Sequence, residues 1–178
     1  MDKITLVTGG AKSGKSLFAE THVRAYGLPL VYIATSQAFD TEMEDRIAAH
    51  KTQRGAGWDT VEEPLDLCGA LARTDGAGAR LVDCMTLWLS NVMHAELDWQ
   101  AGLEKVLQCL REQSSPVVLV TNEVGGGIVP MSALARRYRD ASGLMNQRLG
   151  ARAGHVVLVT CGLPLALKGS AAAPASLA

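Results

Sequence analysis

A mainly parallel, doubly wound α/β sheet, enclosed by helices as a three-layer α/β/α sandwich, is the fold this 178-residue sequence predicts. Three observations carry it. Short runs rich in Val, Leu and Ile alternate along the chain with segments of helical periodicity. Those runs are apolar nearly throughout, as strands covered on both faces must be. Pro29, Pro64, Pro116 and Pro130 all fall at segment junctions, where a residue without an N–H does least damage.

The first strand, 3–8, contains Ile4-Thr5-Leu6-Val7-Thr8 and enters a glycine loop, Gly9-Gly10-Ala11-Lys12-Ser13-Gly14-Lys15-Ser16. A helical pattern over 15–26 leaves it. A strand at 30–35, a charged helix at 40–53 and a short strand from Trp58 to Glu62 come next. A helix at 64–73 and the Gly/Ala loop Thr74 to Ala79 lead to a strand at 79–84. Helices at 85–97 and 99–113 precede a strand at 116–121, and the helix 132–152 precedes a strand at 155–160. A short last strand spans Leu165 to Lys168. There is no internal repeat and no interdomain linker, so residues 1–169 read as a single nucleotide-binding catalytic domain. The Ala/Ser/Pro-rich stretch 170–178 reads as a frayed tail.

Composition excludes several classes. A net charge of −1 offers no basic field for nucleic acid or an acidic membrane surface. No run of 18 apolar residues exists, so nothing is expected to span a bilayer. The N-terminus begins as a core strand and not as a signal peptide. Cys68, Cys84, Cys109 and Cys161 form no C-x-x-C pair, which predicts small, buried, reduced thiols in a cytoplasmic protein. Aromatics are only 4% of the chain, which favours close helix–sheet packing over a stacking surface.

The glycine loop is spelled G-x-x-x-x-G-K-[ST] in its required strand–loop–helix setting. Its glycines let backbone N–H groups converge on phosphate oxygens, aided by the positive end of the following helix. Lys15 reaches the β- and γ-phosphates, and the Ser16 hydroxyl ligates Mg²⁺. The sequence therefore predicts a P-loop NTPase fold of RecA-like type that binds a nucleoside triphosphate.

In such a sheet, ligands lie beyond the carboxyl ends of the strands. Asp83 ends the run Arg80-Leu81-Val82 and fits two roles. It can hold the magnesium, directly or through water, or it can cap the helix that starts at Met85. Asn122 and Glu123 follow the strand Val117 to Val120 and precede three glycines. They can position a nucleophile or γ-phosphate on the substrate side, or merely cap their own turn. Asn122 has no following lysine, so this is not the N-K-x-D guanine signature. Within 40–53, the residues Arg46, His50 and Arg54 recur one turn apart on one face, with Lys51 beside them. That reads either as a solvated charged face or as a nucleophilic imidazole among phosphate-binding cations.

The joint pattern resembles one family. It comprises Thr8 to Ser16, Tyr32-Ile33-Ala34-Thr35, Arg46-Ile47-x-x-His50-Lys51-x-x-Arg54, Trp58-x-Thr60-x-Glu62 and Thr121-Asn122-Glu123-Val124-Gly125-x-Gly127-Ile128-Val129-Pro130. Arg139-Asp140-x-x-Gly143-x-x-Asn146-Gln147-Arg148-Leu149 extends it. The resemblance is to the bifunctional adenosylcobinamide kinase/adenosylcobinamide-phosphate guanylyltransferases of cobalamin biosynthesis. It implies that a nucleoside triphosphate (ATP or GTP) phosphorylates adenosylcobinamide, after which GTP transfers GMP to adenosylcobinamide phosphate and pyrophosphate leaves. It implies that His50 carries the guanylyl group covalently. It also implies a nucleotide site comprising Gly9, Gly10, Ala11, Lys12, Ser13, Gly14, Lys15, Ser16, Ile33, Ala34, Thr35, Lys51, Thr52, Gln53, Arg54, Glu62 and Asp83. Lys15 would act with His50 in catalysis, and Ser16 and Asp83 on the metal. Glu62 suits guanine because a buried carboxylate can accept from both N1–H and the 2-amino group; the alternative is an exposed strand acid beside Glu63. The family forms homotrimers, and the apolar stretch Leu87 to Met93 is either a partner-covered face or a plain core helix.

Two other readings fit a phosphate loop alone: a simple small-molecule kinase, and a non-catalytic nucleotide-binding module. Neither needs a nucleophile beside an α-phosphate.

Overall fold

The computed structural model describes residues 3–38 and 41–173, except for the side chains of Glu42, Met43, Arg46 and Gln53. In chain order the elements are β1 (Ile4–Thr8), α1 (Lys15–Arg24), β2 (Leu30–Ala34), α2 (Thr41–Arg54), β3 (Trp58–Glu62), α3 (Leu67–Arg73), β4 (Ala79–Asp83), α4 (Met85–His94), α5 (Trp99–Glu112), β5 (Val117–Val120), α6 (Ala133–Arg152), β6 (His155–Thr160) and β7 (Leu163–Lys168). The strands form one sheet in the order β3-β2-β4-β5-β1-β6-β7. The pairs from β3 through β6 are parallel, and only β7 runs antiparallel, against β6. The expected doubly wound sheet is present.

Side-chain alternation along the strands builds two cores. Ile4, Leu6, Val31, Ile33, Val82, Val117 and Leu119 face α3, α4, α5 and α6. Val7, Tyr32, Ala34, Leu81, Val118, Val120 and Val157 face Ala19, Val23 and Tyr26 from α1 and its C-terminal cap. Because successive strand residues point to opposite faces, a run such as Val117–Val120 must be apolar at every position. Each large side chain so buried contributes roughly 1.5–3 kcal/mol.

Helix limits follow local chemistry. The Asp66 carboxylate accepts from Gly69 N–H at 3.0 Å, so α3 starts after it and not at Pro64. Asp98 caps α5 and Ser132 caps α6 in the same manner. The α4 helix stops at His94, and Glu96 beyond it has a left-handed φ of 55°. Met85, Trp88, Leu89 and Val92 of α4 are all buried in the first core, so the apolar stretch Leu87–Met93 belongs to a core helix. Cys84 and Cys109 are buried as expected, whereas Cys68 is half-buried and Cys161 is exposed at the β6–β7 turn; all four are free thiols. At the start of the predicted tail, Ser170 N–H donates to His155 Nδ1 and Ala171 packs on the second core. Residues 174–178 lie outside the described residues. Among the described residues no helix is long and apolar enough to cross a membrane.

One polar contact anchors the far end of β4. The Arg80 guanidinium is fully buried, donates to Leu71 O and Ser115 O, and pairs with Asp75 at 3.0 Å. Burial alone would raise the Asp75 carboxyl. Hydrogen bonds from the N–H groups of Ser114 and Ser115 and the Ser114 hydroxyl, with the Arg80 charge, outweigh it and hold the carboxyl down at about 2. A carboxyl depressed from 3.8 stabilises the fold fully above about pH 4 and loses that contribution as pH falls towards 2. Asp75→Ala should therefore cost about 3 kcal/mol at neutral pH, because it strands a buried guanidinium. Its thermal midpoint should also fall less steeply than the parent's between pH 4 and 2. Urea titrations and melting curves across that window check both.

Candidate active site

The phosphate loop is shaped by contacts that only glycine tolerates at two positions. A Cβ on Gly9 would press into the Val159 carbonyl oxygen and the Ser13 hydroxyl. Gly14 has φ 95°, and its Cβ would sit 3.1 Å from Gly162 Cα. Ser13 N–H donates to Gly10 O at 3.3 Å to close the turn, while Gly162 N–H braces it through Ser13 O at 2.9 Å. The Lys15 ammonium folds over the loop onto Gly10 O at 3.1 Å. Burial lowers its pKa, and neighbouring Cys84 and Asp83 oppose that shift. The Ser13 hydroxyl is buried without a hydrogen-bond partner, a polar atom available to a phosphate oxygen. Gly10, Ala11 and Lys12 are exposed at the rim, and Ser16 is half-buried one residue past Lys15.

Strand order sets what faces this loop. Because β5 lies between β1 and β4, the residues ending β5 occupy the space between the loop and Asp83. Asp83 does not cap α4; the cap position is Cys84, with no side-chain cap bond. Instead, Asp83 Oδ2 accepts from the Tyr32 hydroxyl at 3.0 Å. Burial raises the Asp83 carboxyl, and that hydrogen bond together with the charges of His50, Lys15 and Arg54 pulls it back down. Ser16 and Asp83 offer hard oxygen donors, and no cluster of three or more His, Cys, Asp or Glu exists among the described residues. That donor set fits Mg²⁺, which keeps waters and substrate phosphates in most of its positions.

Glu123 and Asn122 do more than cap a turn. Glu123 N–H donates to Gly9 O at 3.1 Å, and its carboxylate accepts from Thr8 Oγ1 at 3.0 Å and Asn146 Nδ2 at 3.3 Å. Asn122 Nδ2 donates to Thr86 Oγ1 at 2.6 Å. Thr121 Oγ1 donates to Asn146 Oδ1 at 2.7 Å, so α6 and the ends of β1 and β5 share one polar network. Burial pushes the neighbouring Cys84 thiol up to about 11, which keeps it protonated and inert.

The α2 helix places its predicted residues differently from one another. His50, Lys51 and Thr52 are exposed, with Thr52 Oγ1 bonded to Ala48 O of its own helix. The side chains of Gln53 and Arg46 lie outside the described residues. Lys51 Nζ pairs with Glu62 Oε1 at 3.2 Å, and the Glu62 carboxylate is exposed at the end of β3 and not buried. Arg54 turns inward. Its guanidinium lies 3.6 Å from the Tyr32 ring centroid and donates to Thr60 Oγ1 at 3.2 Å, while its carbonyl accepts from Arg24. Ile33, Ala34 and Thr35 are buried, and the Thr35 hydroxyl ties β2 to β4 through Cys84 O and N–H, both at 2.8 Å. The backbone of this strip is engaged as well, with Thr35 N–H donating to Asp83 O, Ala34 O accepting from Glu63 N–H and Thr35 O accepting from Asn91 Nδ2.

Sequence reasoning missed three contributors. Tyr32 supports both Asp83 and Arg54, but an aromatic in an apolar strand reads as core. Asn146 grips Glu123 from 23 positions away. Glu20 is buried on α1, one turn past Ser16; burial and Asp83 raise its carboxyl, and Arg54 and Arg24 lower it. An acid interrupting the covered face of a helix was a readable signal for that one.

The cobinamide kinase / cobinamide phosphate guanyltransferase family matches residues 5–167. The chain is 45% identical over 169 residues to the bifunctional adenosylcobalamin biosynthesis protein CobP of Pseudomonas aeruginosa, covering 92% of this chain and 96% of that protein. It is 41% identical to the Salmonella typhimurium bifunctional protein CobU and 38% identical to the Escherichia coli one, covering 98% of each. Among solved structures, a type III secretion ATPase superposes with TM-score 0.57 at 9% identity, over 92% of this chain and 56% of the ATPase. RadB recombinase superposes with TM-score 0.50 at 20% identity, over 87% of this chain and 73% of the recombinase. These two share the P-loop, RecA-like fold.

Proposed function

This chain belongs to the cobinamide kinase / cobinamide phosphate guanyltransferase family, and from that premise we propose how its residues divide two successive transfers. It is a bifunctional enzyme of cobalamin biosynthesis, phosphorylating adenosylcobinamide and then converting adenosylcobinamide phosphate to adenosylcobinamide-GDP with GTP. The observation that carries the assignment of residues is the contact chain from Asp83 through the Tyr32 hydroxyl, at 3.0 Å, to Arg54 on the helix that bears His50.

In the first transfer the phosphate loop cradles the β- and γ-phosphates of the donor, ATP or GTP. The acceptor hydroxyl attacks the γ-phosphorus, its proton leaves, and the nucleoside diphosphate departs. Lys15 and the loop N–H groups meet the charge that develops on the phosphoryl oxygens. Mg²⁺, when bound by Ser16 and Asp83, neutralises phosphate charge.

In the second transfer a His50 ring nitrogen attacks the α-phosphorus of GTP and pyrophosphate leaves in line, held by the same loop. The acceptor phosphate then attacks the phosphoramidate phosphorus and frees the imidazole. Lys51 lies one residue beyond His50 and offsets charge on the guanylyl oxygens. Arg54 pins the last turn of α2 onto Tyr32, fixing the helix that carries the nucleophile.

Glu62 reads guanine in this scheme by exchanging Lys51 for N1–H and the 2-amino group, which releases Lys51 to the phosphates. Glu62→Gln keeps the shape but loses the paired acceptor. It should cut the preference for GTP over ATP in nucleotidyl transfer by about ten- to a hundredfold. Competition between the two nucleotides checks it. The whole scheme is tested by feeding adenosylcobinamide, ATP and GTP to the pure protein; the phosphate should accumulate before the GDP adduct, with pyrophosphate matching the adduct.

We assign the enzyme to the cytoplasm, in keeping with its four free thiols, and to a homotrimer. The exposed leucines Leu163, Leu165 and Leu167 along the edge strand β7 supply apolar surface for such an assembly.

A further inference from the structure

Between the β5–α6 loop and α6 lies a groove that the scheme above leaves without a role. It is about 680 Å³ in volume, open to solvent, and formed by Gly125, Gly127 and Val129 of the β5–α6 loop against Arg139, Gly143 and Gln147 of α6. The two elements that form it both reach Glu123: Gly125 lies two residues past Glu123 in the loop, and Asn146 lies on α6 between Gly143 and Gln147. Asn146 holds Glu123 at 3.3 Å, and Glu123 N–H is bonded to Gly9, the first residue of the phosphate loop. Glu123 is thus tied both to the helix that walls the groove and to the phosphate loop.

Glu123 is exposed, so solvation alone would satisfy its charge. Yet Thr8, Asn146 and its own backbone fix it in place from β1, α6 and the loop. Two hydrogen bonds to Oε1 and one from the backbone N–H set the position of an exposed carboxylate, which is what a proton acceptor at a reaction centre needs. The lining suits a particular acceptor. Val129 and Leu144 are largely exposed apolar side chains, 60% and 47%, at a site whose rim carries Arg139, Asp140 and Gln147. A large apolar macrocycle fringed with amides matches both. A Cβ on Gly143, Gly125 or Gly127 would meet nothing within 4 Å, so packing does not demand these glycines; they leave open the space an acceptor would fill.

The geometry points to this groove as the site for the corrinoid acceptor, with Glu123 as the base that takes the proton of its hydroxyl during phosphorylation. In that step the acceptor O–H bond breaks and the proton passes to a Glu123 carboxylate oxygen. The hydroxyl oxygen bonds to the γ-phosphorus, and the bond from that phosphorus to the β-bridging oxygen breaks to release the nucleoside diphosphate. The inference rests on the kinase reading of the family and adds its acceptor site and base.

The test uses two variants and three readouts: phosphorylation of adenosylcobinamide, GMP transfer to adenosylcobinamide phosphate, and guanylylation of the protein by GTP without acceptor. Glu123→Gln keeps acceptors for Thr8 and Asn146. It should lower kcat for phosphorylation about a hundredfold or more, while protein guanylylation stays within about twofold. Gly143→Leu fits the open space and favours helix. It should raise KM for both corrinoids about tenfold and leave guanylylation unchanged. Phosphorylation by Glu123→Gln near the parental rate would overturn the base, as would equal loss of guanylylation, which signals a mere brace for the phosphate loop. Unchanged corrinoid KM in Gly143→Leu would overturn the groove. A parent protein that binds nucleotide but never phosphorylates adenosylcobinamide would instead refute the underlying kinase reading.

Discussion

Lys15→Ala should lower both phosphorylation and guanylyl transfer by about a hundredfold to a thousandfold, the cost of removing one preorganised charge from a phosphoryl transition state. The reason is that one loop serves two leaving groups. In phosphorylation it stabilises the transferring γ-phosphoryl, and in guanylylation it holds the departing pyrophosphate. The lysine is buried and spans its own loop to Gly10 O. Lys12 is exposed on the outer rim with a left-handed φ of 57° and points the loop, not the charge. Steady-state rates with each acceptor check this, and kinase activity equal to the parent's would sink the shared-loop account.

His50→Ala should separate the two reactions. Guanylyl transfer loses its nucleophile and should fall at least about ten-thousandfold, as enzymes do when a covalent catalyst is removed. Phosphorylation needs no such adduct and should retain much of its rate. The histidine is exposed on α2, so its removal leaves no cavity in either core. Loss of both reactions to the same degree would assign His50 a folding role instead.

Much of the fold was legible because β2 and β5 are apolar throughout, β1 and β4 are largely so, and α1, α3, α5 and α6 begin at a loop glycine or a capping Asp or Ser. The sheet order was not, since period-two runs identify strands but not their neighbours. The site divides along the same line. Gly9 to Ser16 are contiguous, so spacing alone placed them. Asp83 was readable from its strand end, but that it leaves the α4 cap to Cys84 and accepts from Tyr32 on another strand appears only in the folded chain. Arg54 was grouped with His50 by helical spacing, yet it is buried against Tyr32 and Thr60, because stacking on an aromatic ring outweighs solvent for a partly hydrated guanidinium. Glu62 was expected to be buried and instead holds Lys51 at the surface, a pairing no single-strand pattern encodes. Glu123 acquires its setting from Thr8 and Asn146, residues far away in sequence and on other elements.

The central claim is that a histidine of this chain becomes covalently guanylylated, and labelled GTP tests it most directly. The protein is mixed with Mg²⁺ and GTP labelled at either the α- or the γ-phosphate, denatured, and counted. The account predicts protein-bound label from the α-position alone, labile to acid, stable to alkali and absent from His50→Ala. Label arriving from the γ-position, or an α-adduct that survives the His50 substitution, would contradict it.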